Sequence, residues 1–230
     1  MIGEKIRSLF RPSEAMPLNG AGVYIHDFKP ALRPARATPP PVETDRRSNG
    51  LRQFFENLPR ESRLKILDLG GASQANINFI ALQGHKLYTE DLMVDIQRVT
   101  APGNGLAGNV AGFIEENLTF PQEQFDGVLV WDTLEFLEED MMWAAVSQMQ
   151  SILKPGGTLL TFFHTHAKGE TVHVYRYQIR DRQSLHLQPR FSRPLPRAFN
   201  NRSLERLFGN FHSVKFFLAN DNLREVIVTR

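Results

Sequence analysis

Cysteine is absent from all 230 residues, which excludes disulfides, thiolate metal sites and a cysteine nucleophile. Also missing is any run of about 18 apolar residues, the length a membrane-spanning helix needs. The N-terminal MIGEKIRSLF has basic residues but no apolar stretch behind them, so neither a signal peptide nor a membrane span is expected. A cytoplasmic location is the expectation that follows. Helix-compatible sequence is scarce at the start, where Pro30, Pro34 and Pro39-Pro40-Pro41 leave few apolar residues to bury. Residues 1–50 are therefore read as a flexible or draped arm, in which Ile2, Ile6, Leu9 and Phe10 fall at helical spacing. Residues 51–230 are read as the folded domain.

What is present is 41% apolar residues, enough for a full core, and a divided charge. The net charge of +2 splits into +4 for residues 1–63, −9 for 64–171 and +7 for the remainder. Eight arginines lie between Arg176 and Arg206, opposed only by Asp181 and Glu205. Such a segment either meets an anionic partner or pairs with the acidic centre.

Along the domain, short apolar runs alternate with helical periodicity, the pattern of βαβ units and a parallel sheet. Leu51, Phe54, Phe55 and Leu58 repeat as a helix. The strands expected next are Leu64–Leu69, Lys86–Thr89, Phe125–Trp131 and Thr158–Phe163, with helices over Ala75–Gln83 and Asp140–Leu153. A weak third element lies around Val110 to Ile114. Beyond the fifth strand, Val172–Ile179 and Leu185–Phe191 suit a hairpin inside a basic insert at about residues 167–199. Ser203 is read as the cap of a helix through Phe208, and Val214–Leu218 and Glu225–Thr229 as a closing antiparallel hairpin. Gly103-Asn104-Gly105-Leu106-Ala107-Gly108 spells a dinucleotide fingerprint without the flanking strand and helix that give it meaning, and is read as a loop.

Four landmarks in order resemble the class I S-adenosylmethionine (SAM) dependent methyltransferase family. They are LKILDLGGASQ, LYTEDL, FDGVLVWDTLEFL and ILKPGGTLLTFF, and with the closing hairpin the resemblance covers Leu64 to Arg230. It implies an α/β fold with a Rossmann-like, doubly wound, mostly parallel sheet and a C-terminal antiparallel hairpin. It implies SAM as cofactor, with Asp68, Gly70, Gly71, Ala72 and Ser73 at the glycine loop, Asp91 and Leu92 after the next strand, Glu115 toward the adenine and Asp132 toward the methionine. Bare main chain at Gly70 permits close approach, and Asp91, 21 residues on, suits a ribose diol. The chain departs from the family pattern at Ala72 and Gln74, which narrow the loop, and at Phe136, where the family commonly has histidine.

Methyl transfer from a sulfonium needs an aligned, dehydrated nucleophile and, for a hydroxyl or protonated amine, a base. The resemblance points to Asp132, Glu135, His164 and His166 as candidate catalytic groups. His164, His166 and His173 also suggest a metal site, yet no carboxylate stands at ligand spacing, so none is expected. Tyr175, Tyr177 and Phe191, interleaved with Arg176, Arg180 and Arg190, suit a planar or anionic small-molecule acceptor. Two alternatives stay open: a non-catalytic binding or assembly module of the same fold, and a nucleic-acid methyltransferase working through the arginine-rich segment. Neither the acceptor nor the oligomeric state is legible.

Overall fold

The computed structural model describes residues 42–60, 63–99, 109–219 and 221–230. The expected N-terminal helix around Ile2 to Phe10 and the loop at 103–108 lie outside the described residues.

The order of elements is β1 (Thr44–Arg47), α1 (Asn49–Asn57), β2 (Lys65–Asp68), α2 (Gln74–Leu82), β3 (Lys86–Thr89), α3 (Leu92–Val99), α4 (Val110–Asn117), β4 (Phe125–Trp131), a 3₁₀ turn (Leu134–Phe136), α5 (Glu139–Ile152), β5 (Leu153–His164), β6 (Thr171–Asp181), β7 (Ser184–Pro194), α6 (Asn201–Leu207), β8 (Ser213–Leu218) and β9 (Leu223–Thr229). Six strands form one sheet in the order β3-β2-β4-β5-β9-β8. The pairs from β3 to β5 are parallel, and β9 joins antiparallel to β5 and β8. A second sheet, β1-β7-β6, is antiparallel throughout. The fold is thus the α/β, Rossmann-like, mostly parallel architecture with an antiparallel terminal hairpin.

Alternation along the strands divides the core into two layers. Leu67, Leu69, Val128, Val130, Leu159 and Phe163 pack with α5, α6 and the apolar faces of α3 and α4. Ile66, Leu129, Trp131, Leu160 and Phe162 face the other way, against α1, Ile80 of α2 and the inward residues Tyr177, Ile179, Leu185 and Leu187 of the hairpin β6–β7. Each such buried aliphatic or aromatic side chain contributes about 1.5–3 kcal/mol. The hairpin therefore belongs to the core rather than to the surface.

Several local readings change. Thr44–Arg47, within the stretch read as an arm, is an edge strand in register with Ser184–Leu187 of β7. Its Arg46 is buried and bridges Asp221 and Glu225. The element around Val110 is a helix capped by the Asn109 side chain, which accepts from Gly112 N at 2.9 Å. Asn200, not Ser203, caps α6. Ser203 completes a reciprocal capping box, its own N–H donating to Asn200 Oδ1 at 2.9 Å. Pro155-Gly156-Gly157 is an irregular stretch inside β5, where the pairing with β4 slips.

Buried Asn76 on α2 fastens the hairpin to the parallel sheet. Its Nδ2 donates to Asp68 Oδ2 (2.7 Å) and to the Tyr177 carbonyl (3.0 Å), and its Oδ1 accepts from Ile179 N (2.7 Å). Replacing it with alanine strands the Ile179 N–H and removes a donor from Asp68. We expect Asn76→Ala to lower unfolding stability by about 2–4 kcal/mol and to speed hydrogen exchange at Ile179 more than in β4, as read by denaturant titration and exchange mass spectrometry.

Candidate functional site

The carboxyl ends of β2, β3, β4 and β5 converge, and each delivers an acid or a histidine. At the end of β2, Asp68 is fully buried, and burial pushes its carboxyl up to about 6 despite three donors that favour the anion. Those donors are Trp131 Nε1 (2.7 Å), Gly70 N (3.0 Å) and Asn76 Nδ2 (2.7 Å). The loop after Asp68 is tied to the end of β3 by a Gly70–Asp91 bridge and by hydrogen bonds from Gly71 N to Glu90 O (2.9 Å) and Leu92 N to Leu69 O (3.2 Å). Asp91 is thereby fixed beside the loop.

Glycine is required here for two reasons. A Cβ on Gly70 would collide with the Trp131 indole, and one on Gly71, where φ is +88°, would meet Asp91. Beyond them Ser73, the N-cap residue of α2, is buried with its hydroxyl unpartnered. Gln74 does not fill the loop. It is exposed and bonds Asn78 at 2.7 Å, and Ala72 is exposed as well, so the narrowing expected from these two residues arises instead from Trp131. Trp131 has φ +59°, a region bulky residues rarely adopt, and its ring lies parallel to that of Tyr177 at 5.0 Å. Asp91 receives both terminal nitrogens of Arg190, at 3.1 and 3.0 Å.

The second half of the site stands where β4 and β5 end. Asp132 is buried and accepts from Tyr177 Oη at 3.1 Å, and burial pushes its pKa up to about 7, the nearby His164 charge partly opposing. Glu135, fully buried on the 3₁₀ turn, accepts from the backbone N–H of His164 at 2.9 Å and is joined to His164 Nδ1. Burial alone would depress the His164 imidazolium. The bond to Glu135 and its charge, with those of Asp132 and Asp221, outweigh burial and raise the pKa above the usual histidine range. His166 is shifted the other way, by burial and the charge of His164.

With Nδ1 committed, His164 Nε2 is the ring nitrogen left to meet a ligand. His164, His166, His173, Tyr175, Arg46 and Asp221 line one cavity of about 220 Å³, with Val172, Leu187 and Leu223 supplying apolar wall. Two of the residues lining it carry a buried nitrogen without a hydrogen-bond partner, Arg46 Nη1 and His166 Nδ1. Among the described residues no group of three histidines and acids is placed to hold a metal, and no helix is long and apolar enough to cross a membrane.

The sequence-derived candidates thus fall into two groups. Asp68, Gly70, Gly71, Ala72, Ser73, Asp91 and Leu92 meet around the loop after β2, while Asp132, Glu135, His164 and His166 meet around the end of β5. Glu115 joins neither. It stands exposed on α4, which packs on α5, and forms no side-chain hydrogen bond among the described residues. Arg46, Asn76 and Trp131 carry site geometry that sequence reasoning missed, and Arg190, read toward the acceptor, is instead paired with Asp91. The tryptophan ending a buried strand and the setting of Arg190 among aromatic residues offered a signal.

A glycine turn between a first parallel strand and its helix, an acid after the second, and acid and histidine groups after the third and fourth define a class I SAM-dependent methyltransferase. The family model described as methyltransferase domain matches residues 44–211, and the chain belongs to that family, whose cofactor is S-adenosylmethionine. Solved structures similar to it include an S-adenosylmethionine-dependent methyltransferase from Clostridium acetobutylicum (12% identity, 78% of this chain and 90% of that one, TM-score 0.46). Another is an S-adenosylmethionine-dependent methyltransferase from Mesorhizobium loti (14%, 77% and 96%, TM-score 0.46). A third is the Burkholderia thailandensis 1,6-didemethyltoxoflavin N1-methyltransferase, solved with 1,6-didemethyltoxoflavin and S-adenosylhomocysteine (13%, 80% and 79%, TM-score 0.43). No curated protein matches the chain.

The Glu135–His164 pair has a titration signature. A histidine pKa raised by folding stabilises the fold fully below about pH 6.5 and loses that contribution as pH climbs through the raised value. Glu135→Gln should therefore lower the His164 pKa, followed by its ring-proton shifts in NMR, and flatten the decline of stability across that window. An unchanged His164 titration would show that Glu135 does not set it.

Proposed function

We propose that the protein transfers the methyl group of SAM to a small molecule held in the cavity at the end of β5, with His164 as the base that takes the acceptor's proton. The carrying observation is the buried Glu135–His164 pair, which commits Nδ1 of a histidine that lines that cavity and leaves Nε2 for the acceptor. When bound, SAM would supply an electrophilic methyl carbon on a sulfonium whose leaving group is a neutral thioether. Gly70, Gly71 and Ala72 offer main chain to the cofactor, Asp91 its carboxylate to the ribose hydroxyls, and Ser73 a hydroxyl that lacks any other partner. The buried, unpartnered Ser73 Oγ is what supports a polar ligand at this loop.

On the acceptor side, the O–H or N–H proton passes to His164 Nε2, and Glu135 holds the resulting imidazolium in place. Asp132, whose pKa burial pushes up to about 7, lies close enough to feel the charges of this pair. The cavity sets the acceptor's size. At about 220 Å³ it exceeds the roughly 150 Å³ that accommodates benzene, so it admits one substituted ring. Arg46 Nη1 can donate to an oxygen on that ring, and because Asp221 and Glu225 already balance the guanidinium, a neutral carbonyl suits it better than a further carboxylate.

Use of the arginine-rich segment inside the chain weighs against a nucleic-acid acceptor. Arg182 bonds Gln83, Arg190 bonds Asp91, Arg193 lies 5.0 Å over the Phe136 ring and Arg197 bonds the Leu137 carbonyl. Half of that basic stretch is spent on intramolecular contacts.

The test is S-adenosylhomocysteine formation from SAM across a panel of single-ring phenols, lactams and amines. With an accepted substrate, His164→Ala should lower kcat by about 10²–10⁴-fold while leaving SAM affinity, measured by calorimetry, within a few-fold. The acidic limb of the wild-type rate profile should fall above the ordinary histidine value. A His164→Ala enzyme of wild-type kcat would remove the proposed base.

A further inference from the structure

Each of the three strand-end acids in the site already holds a donor from inside the chain. Asp68 holds Trp131 Nε1, Asp132 holds Tyr177 Oη, and Asp91 holds the forked guanidinium of Arg190. Tyr177 and Arg190 lie on the two strands of one hairpin, and Trp131 is stacked on Tyr177. The hairpin therefore controls all three acids, two directly and one through the indole.

Arg190 reaches Asp91 through a local irregularity. Val174 pairs with Phe191 and Tyr175 with Pro189, so Arg190 is the extra residue of a bulge in β7. Bulges re-aim a side chain that a regular strand would point elsewhere. Trp131 meanwhile keeps a left-handed backbone, strain that its surroundings must hold in place. The other partner of the ion pair cannot give way, because Asp91 is bridged to Gly70 and its neighbours are bonded to Leu69 and Gly71.

We infer that the β6–β7 hairpin is a closure over the cofactor site in which Arg190 and the cofactor's ribose compete for the Asp91 carboxylate. This rests on the reading that Asp91 receives the ribose. Two forked, charge-assisted hydrogen bonds outcompete two neutral hydroxyls at one carboxylate. Seating of the ribose on Asp91 therefore requires Arg190 to leave, and the measured affinity is the intrinsic affinity reduced by the fraction in which it has left. The same hairpin supplies Val172, His173, Tyr175 and Leu187 to the acceptor cavity. Movement that admits the cofactor thus also reshapes the acceptor's walls.

The two partners of the ion pair are predicted to respond in opposite directions, which a merely structural pair would not do. Arg190→Met keeps the apolar stem and removes the competitor, so it should bind S-adenosylhomocysteine about tenfold more tightly than wild type in calorimetry. Asp91→Ala removes the shared carboxylate and should bind more weakly. Wild-type affinity should rise with moderate salt, since Asp91 and Arg190 side chains are 24% and 16% exposed and their pairing is screened, while Arg190→Met should lack this response. In a Trp143→Phe background, where Trp131 is the remaining tryptophan, saturation with S-adenosylhomocysteine should change the emission of the indole. Wild-type binding that Arg190→Met leaves equal or weakens would overturn the competition. If no variant binds S-adenosylhomocysteine at millimolar concentration, the ribose reading of Asp91 fails and the closure with it, leaving a structural clasp.

Discussion

The carboxylate of Asp68 is the point on which the architecture of the site turns. It ends the first parallel strand with no exposure to solvent, and a buried charge persists only where hydrogen bonds replace the water it has lost. Each of its three donors serves a different part of the fold. The Gly70 N–H shapes the loop, Asn76 carries the connection onward to β6, and Trp131 is swung into a backbone conformation it would not choose alone. Loop, hairpin and strand end are consequently one hydrogen-bonded unit, and a change at any of them is felt at the others.

Much of the fold was legible because its strands are short apolar runs between glycine, proline and polar turns. Phe125–Trp131 and Lys86–Thr89 begin and end where the pattern places them, and the insert was recognisable as a hairpin. Two elements escaped. Leu92–Val99 begins directly after a strand-end acid, which drew attention to ligand chemistry instead of helical periodicity. Thr44–Arg47 is too polar to read as a strand, since it is an edge strand with only Arg46 turned inward.

The site was legible as an inventory and not as a set of contacts. Asp132, Glu135 and His164 follow from the positions of strand ends, but the pairing of Glu135 with His164 spans 29 residues and depends on the 3₁₀ turn that aims the acid at β5. Trp131 closes a buried strand and so reads as core, because a positive φ leaves no mark in composition. Arg190 read as one of three arginines set among aromatic residues toward an acceptor, and it is the bulge in β7 that makes it the partner of Asp91. Short-range pattern gives secondary structure, whereas the decisive contacts join positions 29 to 101 residues apart.

The outermost strand of the small sheet has a temporal consequence. β1 pairs with β7, and Arg46 finds its two carboxylates at Asp221 and Glu225, 175 residues or more further along the chain. During synthesis β1 precedes its strand partner by 141 residues at the Asp45–His186 pair and the carboxylates of Arg46 by more than that. Loop-closure entropy must be overcome before these contacts can form. The two ion pairs of Arg46 are thus a late step of assembly, closed only after β8 and the turn into β9 have been made.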